Sequence, residues 1–316
     1  MTSVMRETIM TQPAELRRML GDTSGVSDVA GRLRGRPVML VGTGTSWHAA
    51  NIGAWFLRAA GVEAVAVQAM DAELYGPHAT KDDGLILLSH RGTKQFTSQV
   101  LDDARTAGGA VVVISGRGSP GADLETVDQE RSSAFTASHT GAMLRLAQIA
   151  VELGADLGPL DAVPEAVAEV VEGPPVGVEP PPRSLEFIGA GPNQWTAAEG
   201  ALKVRETAYV AASSMSVEQY LHGPFVASGP SDALVCLDGG GPGAERLQAV
   251  ARGAESCGVA VKVISAQAPS ELLSVFPLTA VVQMIALESA ETLGTNPDSF
   301  GRDLPSRAHA LDGISL

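Results

Sequence analysis

One short segment carries the residues best suited to chemistry, EGALKVRE at residues 199–206. Its charged residues Glu199, Lys203 and Glu206 are spaced i, i+4 and i+7. Since successive side chains of an α-helix are about 100° apart, this spacing places all three on one helix face. Two carboxylates beside an ammonium group are suited to moving a proton on a bound substrate. The segment therefore predicts an acid–base site.

The same spacing also fits a solvent-exposed helix with an i, i+4 Glu–Lys pair. Such a pair stabilises a helix by only about 0.2–0.5 kcal/mol. Lysine is rare in this chain, with four in all, so a lysine in this setting is less expected as surface filler. The segment alone leaves both interpretations open.

The elements before the segment bear on what it could bind. SLEFIGAG (184–191) is typical of a strand followed by a glycine turn, and a helix is expected to follow. Backbone N–H groups at such a helix start can converge on an anion. The sequence therefore predicts a bound phosphate at the start of the helix and the charged cluster one turn further along.

Two loops in the first half have the same character. GTGTS (42–46) carries Thr45 and Ser46, and SHRGTKQFT (89–97) carries Arg91 and Lys94 directly after a strand. In open parallel sheets, ligands bind beyond the carboxyl ends of the strands. Hydroxyl groups and cations at that edge predict phosphate binding.

His222 lies in EQYLHGP (218–224), a predicted turn. Histidine titrates near neutral pH and could open a sugar ring or move a proton. A lone histidine in a turn is also commonly structural, so both roles stay open.

Continuous apolar runs alternate with helical patterns along the chain, which favours strands buried on both faces in parallel α/β sheets. The expected fold is two three-layer αβα domains. The predicted strands are 38–42, 64–69, 85–89, 110–115, 185–189, 233–238 and 259–265, and the predicted helices include 47–61, 140–154 and 278–294.

The two halves repeat one another. PVMLVGTGTSWHAANIGA (37–54) and SLEFIGAGPNQWTAAEGA (184–201) share glycines and a tryptophan at matching places, which predicts a tandem duplication. The expected organisation is a helical extension, a first domain with the phosphosugar-binding loops, a proline-rich linker, and a second domain with the catalytic helix and the C-terminal segment. The boundaries are 1–34, 35–172, 173–183 and 184–316.

Composition limits the partners. The chain has 316 residues, 45% of them hydrophobic, and a net charge of −14, which argues against nucleic acid and anionic membranes as partners. Cys236 and Cys257 lack metal-ligand spacing, so buried free thiols in a reducing compartment are expected, with no metal and no cofactor. The longest apolar stretch, 275–287, is interrupted by Pro277 and Gln283 and is too short to span a bilayer. A soluble, cytoplasmic protein is expected.

With these motifs in place, residues 35–316 resemble the double SIS (sugar isomerase) domain family, which includes the isomerase half of glutamine–fructose-6-phosphate aminotransferase. The resemblance implies two tandem αβα subdomains with parallel sheets, flavodoxin- or Rossmann-like. The motifs that carry it are GTS (44–46), SHRGT (89–93), ERSSAFTASHT (130–140), EGALKVRE (199–206), LHGP (221–224) and TNPDSF (295–300).

The resemblance also implies roles. Glu206 would be the base that moves a proton between C1 and C2 of an enediol, and Lys203 would support it. Glu199 would orient the helix face. His222 would assist ring opening, in this family often at the neighbouring subunit's site, which implies a homodimer. Phosphate binding would fall to the two loops of the first half, at Gly44, Thr45, Ser46, Ser89, Arg91, Gly92, Thr93 and Lys94.

Three departures from the family pattern qualify these roles. Arg91 stands in place of a loop serine and Lys94 in place of a loop threonine, and we expect Arg91 to contact the anionic group of the ligand. Alternatively, Arg91 points to solvent or pairs with Asp71 or Glu73. The family's C-terminal lysine has no counterpart, and Arg307 stands in that region. No glutaminase domain is expected before residue 35.

Glutamine amidotransferase activity is therefore not expected. The sequence favours an isomerase or deaminase that acts on a hexose 6-phosphate or hexosamine 6-phosphate through an enediol or enediolamine. The alternative is a non-catalytic phosphosugar sensor, because a fold alone does not establish chemistry.

Overall fold

The computed structural model describes residues 2–92 and 94–312. Thr93, one of the predicted phosphate ligands, lies outside the described residues. The chain forms two compact units. The N-terminal unit comprises Ala14–Glu130 and Ala137–Asp161, whereas Arg131–Thr136, the described residues from Ala162 onward and the chain up to Pro13 belong to the C-terminal unit.

These units divide the chain differently from the predicted sequential boundaries, which stay predictions. The predicted N-terminal extension contains helix α1 (Val4–Gly21), whose residues contribute to both units. Residues 162–171, placed in the first domain by the sequence, belong to the C-terminal unit.

The N-terminal unit is built on a parallel five-stranded sheet in the order β2-β1-β3-β4-β5. Its strands β1 and β3 are buried along their whole length, as expected for strands covered on both faces. The elements in chain order are α2 (Val26–Leu33), β1 (Val38–Gly42), α3 (Thr45–Ala59), β2 (Ala64–Gln68), α4 (Ala69–Tyr75), β3 (Gly84–Leu88), α5 (Gln95–Thr106), β4 (Ala110–Ser115), β5 (Leu124–Glu125) and α6 (Ala137–Glu152).

Helices cover both faces of this sheet. Met39 and Val41 of β1 belong to one buried cluster with Ala72 of α4 and Val100 of α5. Helices α3 and α6 pack together on the other side, so closely that a Cβ at Gly53 would lie 2.6 Å from a methyl group of Leu146. The unit is a three-layer αβα arrangement, as predicted.

The C-terminal unit repeats this architecture with a four-stranded parallel sheet in the order β7-β6-β8-β9. The elements of the C-terminal unit are α7 (Val163–Val171), β6 (Ser184–Gly189), α8 (Asn193–Thr207), β7 (Ala212–Ser216), α9 (Val217–Leu221), β8 (Asp232–Asp238), α10 (Ala244–Ser256), β9 (Ala260–Ser265), α11 (Glu271–Leu293) and α12 (Pro305–Asp312). Two short segments of the described chain, Leu160–Ala162 and Pro224–Ala227, form 3-10 turns.

Adjacent residues of β6 show that this sheet too is covered on both faces. Ile188 packs in a buried cluster with Val217 of α9 and Leu247 of α10. Phe187 points the other way, and a Cβ at Gly200 of α8 would lie 3.0 Å from its ring and 2.9 Å from Val282 of α11. Because successive side chains of a strand point to opposite faces, α8 and α11 form one layer and α9 and α10 the other.

All seven predicted strands are present. The sequence missed β7, whose residues ASSMS are mostly polar, and the two-residue strand β5. Strand β7 lies at the edge of its sheet, where pairing on one side and partial exposure do not demand an apolar run. The polar composition of β7 therefore explains why the apolar pattern did not predict this strand.

Helix α11 begins seven residues earlier than predicted and contains Pro277 in its interior. At 23 residues it is long and apolar enough to span a bilayer by length and composition, so the prediction of a stretch that is too short is wrong. However, 89% of its most apolar window is buried inside the protein, as in the core helix of a soluble protein.

The cysteines differ in exposure. Cys236 is a buried free thiol, and burial raises its pKa to about 12. Cys257 is free but exposed, so the prediction of two buried thiols is wrong for this residue. It follows the last residue of α10, where a side chain can project to solvent.

Candidate active site

The charged residues of EGALKVRE meet on one face of α8. The Nζ atom of Lys203 lies 2.7 Å from Oε2 of Glu206 and 3.3 Å from Oε1 of Glu199. The side chains of Glu199 and Lys203 are 0% and 1% exposed, and that of Glu206 is 15% exposed. The exposed-helix interpretation is therefore wrong.

Because the cluster is buried, its charges interact more strongly than those of a pair on the protein surface. Burial by itself lowers the pKa of Lys203, but the carboxylates of Glu199 and Glu206 outweigh this and hold the pKa above its usual value. Lys203 is consequently a fixed ammonium group rather than a proton donor near neutral pH. It stabilises the ionised form of Glu206, which is the form that can accept a proton.

The cluster lies further along the helix than predicted. Glu199 is the seventh residue of α8, and Glu206 is the last but one. The prediction of a cluster one turn into the helix is wrong because α8 begins at Asn193, directly after the glycine turn. Glu206 therefore stands at the C-terminal end of α8, where the chain leaves the helix.

A pocket of about 360 Å³ opens at this end of α8, within the range of small-molecule sites. It lies wholly in the C-terminal unit. Glu206 connects the buried cluster to this pocket, because it contacts Lys203 on one side and forms part of the pocket wall on the other. The pocket is lined by Arg205, Glu206, Tyr209, Phe300, Arg307 and Ala310.

Two residues of the pocket wall have a backbone conformation that bulky side chains rarely adopt. Tyr209 has a φ of 58° and Phe300 a φ of 54°, and they are the two non-glycine residues with positive φ in the described part of the chain. This conformation costs a non-glycine residue about 1–3 kcal/mol and is concentrated at functional sites. Both residues lie beside Glu206, which supports a functional role for the pocket.

Hydrogen bonds hold the wall in place. The backbone N–H of Gly301 donates to the hydroxyl of Tyr209 at 3.1 Å, and that hydroxyl lies 3.1 Å from Oγ of Ser299. The guanidinium of Arg307 lies 4.2 Å from the centre of the Tyr209 ring. The sequence contained no indication of a role for Tyr209, Phe300 or Arg205. Neither a positive φ nor the meeting of distant residues in one pocket wall produces a recognisable pattern in the sequence.

His222 is 73% exposed, and its Nε2 lies 3.4 Å from a carboxylate oxygen of Glu218. It follows α9, on the opposite sheet face from α8. Its role in ring opening stays a prediction.

The predicted phosphate loops lie side by side in the N-terminal unit. Strands β1 and β3 are neighbours, and β2 pairs with the other edge of β1. The sheet order thus reverses direction between β1 and β3, where open α/β sheets bind ligands. The loop after β1 places Gly44 at the start of α3 with Thr45 and Ser46 in its first turn.

The loop after β3 is built around Ser89. The N–H of Gly92 donates to the Oγ of Ser89 at 3.1 Å, and the hydroxyl of Ser115 donates to the Ser89 carbonyl at 2.7 Å. Burial and, to a smaller extent, Arg91 lower the pKa of His90 to about 4. The neutral His90 ring accepts the Glu130 N–H at Nε2, 2.9 Å away, and so anchors the loop.

Arg91 and Gly92 are exposed, and Lys94 directly precedes α5. Contact between Arg91 and a ligand stays a prediction. Among residues 2–92 and 94–312, no three histidines, cysteines, aspartates or glutamates are grouped so as to hold a metal ion.

Comparison with known proteins agrees with this geometry. The family model for the SIS domain matches residues 35–151. Residues 35–151 form a SIS domain. The chain is also 28% identical over 298 residues to a glutamine–fructose-6-phosphate aminotransferase of Pyrococcus horikoshii, over 83% of this chain and 50% of that protein. The SIS-containing chain thus spans about half the length of the curated relatives it matches, and it is homologous to their isomerase region.

Solved structures of similar fold extend the comparison to both units. Tagatose-6-phosphate ketose/aldose isomerase from Escherichia coli superposes with a TM-score of 0.80 at 18% identity, covering 94% of this chain and 95% of its own. Glucosamine-6-phosphate deaminase from Thermotoga maritima gives a TM-score of 0.77 at 18% identity, covering 94% and 97%. At such identities the likeness shows the fold alone.

Proposed function

We propose that this chain is a sugar-phosphate isomerase or amino-sugar-phosphate deaminase that acts on a hexose 6-phosphate or hexosamine 6-phosphate. The observation that carries the proposal is the buried Glu199–Lys203–Glu206 cluster, which holds one carboxylate at a pocket wall. The fold similarity to a ketose/aldose isomerase and to a deaminase supports this reaction class.

Glu206 is the proposed base. Its carboxylate removes a proton from the carbon next to the carbonyl or imine and returns it to the neighbouring carbon, through an enediol or enediolamine. Lys203 remains an ammonium group throughout and stabilises negative charge as the proton moves. Glu199 has no exposed surface, so its part is to hold Lys203 in position rather than to touch the substrate.

Phosphate binding is assigned to the N-terminal unit. Gly44, Thr45 and Ser46 stand at the start of α3, where backbone N–H groups favour an anion. Ser89 and Gly92 form a hydrogen-bonded turn on the neighbouring strand, and Arg91 and Lys94 add positive charge.

Replacement of Glu206 tests the proposal. A panel of hexose 6-phosphates and hexosamine 6-phosphates is followed by NMR for conversion and for release of ammonia. We expect Glu206→Gln to lower turnover by on the order of 10²–10⁴-fold, because the amide cannot accept the proton. Glu255→Gln is the matched control, since Glu255 is an exposed glutamate of α10 in the same unit and does not line the pocket. Unchanged turnover in Glu206→Gln would sink the assignment.

A phosphosugar sensor is the second candidate. It is favoured by the exposed Arg91 in a phosphate loop and by similarity in fold to a sugar-binding protein of Salmonella typhimurium, with a TM-score of 0.67. A sensor would bind members of the same panel and convert none. We further propose that the active species is a homodimer in which His222 serves the neighbouring copy, which light scattering of the active protein tests.

A further inference from the structure

His90 lies between two of the proposed phosphate ligands, Ser89 and Arg91, but its own ring is buried while Arg91 is exposed. The ring is neutral near pH 7 because its pKa is lowered to about 4, mainly by burial. Its Nε2 accepts the N–H of Glu130 at 2.9 Å, so this nitrogen carries no proton. The ring therefore binds the protein's own backbone rather than an external anion.

Glu130, the partner of the His90 ring, is itself held in place. Its side chain is buried, and its Oε1 accepts the N–H of Ser138 at 2.8 Å. Ser138 is the second residue of α6. Glu130 thus gives the His90 ring a donor that is fixed to a helix.

The carbonyl of His90 is held as firmly as its ring. It accepts hydrogen bonds from the N–H of Gly116 at 3.0 Å, the Oγ of Ser119 at 3.3 Å and the Nε2 of Gln129 at 3.1 Å. Because a peptide group is planar, holding this carbonyl also fixes the orientation of the peptide that joins His90 to Arg91.

Close packing at Gly116 restricts the ring further. A Cβ at Gly116 would lie 2.7 Å from Cε1 of His90 and 2.6 Å from Nε2 of Gln129. The loop after β3 is therefore shaped from behind, by the segment that follows β4. A loop that is already in its bound conformation loses less conformational entropy when a ligand binds.

We propose that His90 is a positioning residue for phosphate binding. It holds the turn formed by Ser89 and Gly92 in the conformation that receives the phosphate, and it does not touch the ligand. Gln129 assists through the His90 carbonyl. This inference rests on the proposed function, because it takes the loop after β3 as a phosphate-binding loop. All of these residues belong to the N-terminal unit.

The test measures binding of glucose 6-phosphate by calorimetric titration. His90→Phe keeps an aromatic ring but removes the acceptor of the Glu130 N–H, and we expect binding about 10-fold weaker. His90→Gln supplies a carbonyl oxygen near the position of Nε2 and should restore most of the affinity. His78→Phe, at an exposed histidine of the same unit, is the matched control and should bind like the wild-type protein.

A double-variant cycle separates positioning from a general effect on stability. His90→Phe should weaken binding about 10-fold in the wild-type background but less than about 2-fold in a Ser89→Ala background, because the ring acts through the turn built on Ser89. A merely structural role would weaken binding equally in both backgrounds. Gln129→Ala, at an exposed residue, removes one donor to the His90 carbonyl and should weaken binding about 3-fold.

Several results would overturn the inference. Equal effects of His90→Phe in the two backgrounds would do so, as would unchanged affinity in His90→Phe. If His90→Phe does not fold, unchanged affinity in Gln129→Ala decides against the inference by itself. Unchanged affinity in Ser89→Ala alone would overturn the phosphate-loop assignment of the proposed function as well. Weaker binding in Ser89→Ala with wild-type binding in His90→Phe would leave that assignment standing and remove only the role of His90.

Discussion

Helices α3 and α8 hold corresponding places in the two units, each following the first strand of the doubly wound sheet order. Within these two helices, positions 148 residues apart correspond, as Trp47 and Trp195 do. The face that carries the charged cluster on α8 carries quite different residues on α3. The α3 face has Asn51, Trp55 and Arg58, and the α8 face has Glu199, Lys203 and Glu206.

The same residue spacing supports different interactions on the two helix faces. On α3, the guanidinium of Arg58 lies 5.8 Å from the Trp55 ring centre and its Nε donates to the Ala64 carbonyl, a partly exposed packing arrangement. On α8, a lysine with 1% exposure is held by two carboxylates. One helix position thus supports either a partly exposed packing contact or a buried charge cluster, and the residue types on a single face decide which.

The loops after β3 and β8 also differ, but here the N-terminal unit is the one suited to an external ligand. The loop after β3 contains Arg91 and Gly92, with a φ of 68° at Gly92, and the loop after β8 contains Gly239 and Gly240, with a φ of 71° at Gly240. In the C-terminal unit this loop is filled by the protein's own carboxylate, since a Cβ at Gly241 would lie 1.9 Å from Cδ of Glu271. Burial and, to a smaller extent, Asp238 raise the pKa of Glu271. The N-terminal loop, with cations and hydroxyls, is the one suited to an external anion.

The largest expected effect concerns the buried charges. Lys203→Met should lower the free energy of unfolding by about 3–5 kcal/mol, because it leaves the Glu199 carboxylate buried without its counter-ion. Arg58→Met, at the α3 position that corresponds to Glu206, should cost less than about 1 kcal/mol, the scale of an exposed cation–π contact. Urea denaturation followed by circular dichroism measures both.

Equal losses in the two variants would contradict the contrast between the helices. The double variant Lys203→Met with Glu199→Gln sharpens the test. It should recover part of the stability, because the remaining buried group is neutral.

The next effect concerns the two loops. Arg91→Ser should weaken binding of glucose 6-phosphate and fructose 6-phosphate by about 1.5–3 kcal/mol, because a charge-assisted hydrogen bond is lost. Isothermal titration calorimetry measures the change. Glu271→Gln in the C-terminal loop should leave this affinity unaltered, since that loop is filled from within. Unchanged or improved affinity in Arg91→Ser would show that the arginine only fills space.

The smallest effect is the acid sensitivity that comes from Asp232 of the C-terminal unit. A hydrogen bond from Arg183 is the main reason that the pKa of Asp232 falls from 3.8 to about 2. Because the folded pKa is depressed, the stabilisation is complete above about pH 4 and is lost as the pH falls through about 2. Since Arg183 is 55% exposed, we expect about 1–2 kcal/mol after allowance for solvent screening.

Unfolding free energies measured between pH 5 and pH 2 check this expectation. Asp232→Asn should be less stable at pH 5 and should flatten the pH dependence over that range. The corresponding residue of the N-terminal unit is Asp83, whose pKa is also lowered, mainly by a hydrogen bond from the Thr80 hydroxyl. A variant as acid-sensitive as the wild-type protein would assign the effect to other carboxylates.

Much of the fold could be predicted because its signals are local. The seven predicted apolar runs are strands in the structure. The glycines that end the first strand of each unit's repeat, Gly42 and Gly189, are both needed because the backbone passes too close for a side chain. A Cβ there would lie 2.5 Å from the carbonyl carbon of Ser46 and 2.3 Å from the carbonyl oxygen of Asn193, respectively. Strand β7 was missed because an edge strand needs no apolar run, and its ASSMS sequence has none.

The sequence by itself determined the parallel strands, the loops that follow β1 and β3, and the shared face of Glu199, Lys203 and Glu206, because each depends on a pattern within one segment. Only the tertiary structure decided that this face is buried, since burial depends on what packs against it. Only the tertiary structure brought Tyr209 together with Phe300 and Arg307 beside Glu206. These contacts join residues about ninety or more positions apart, and no local pattern records such a distance.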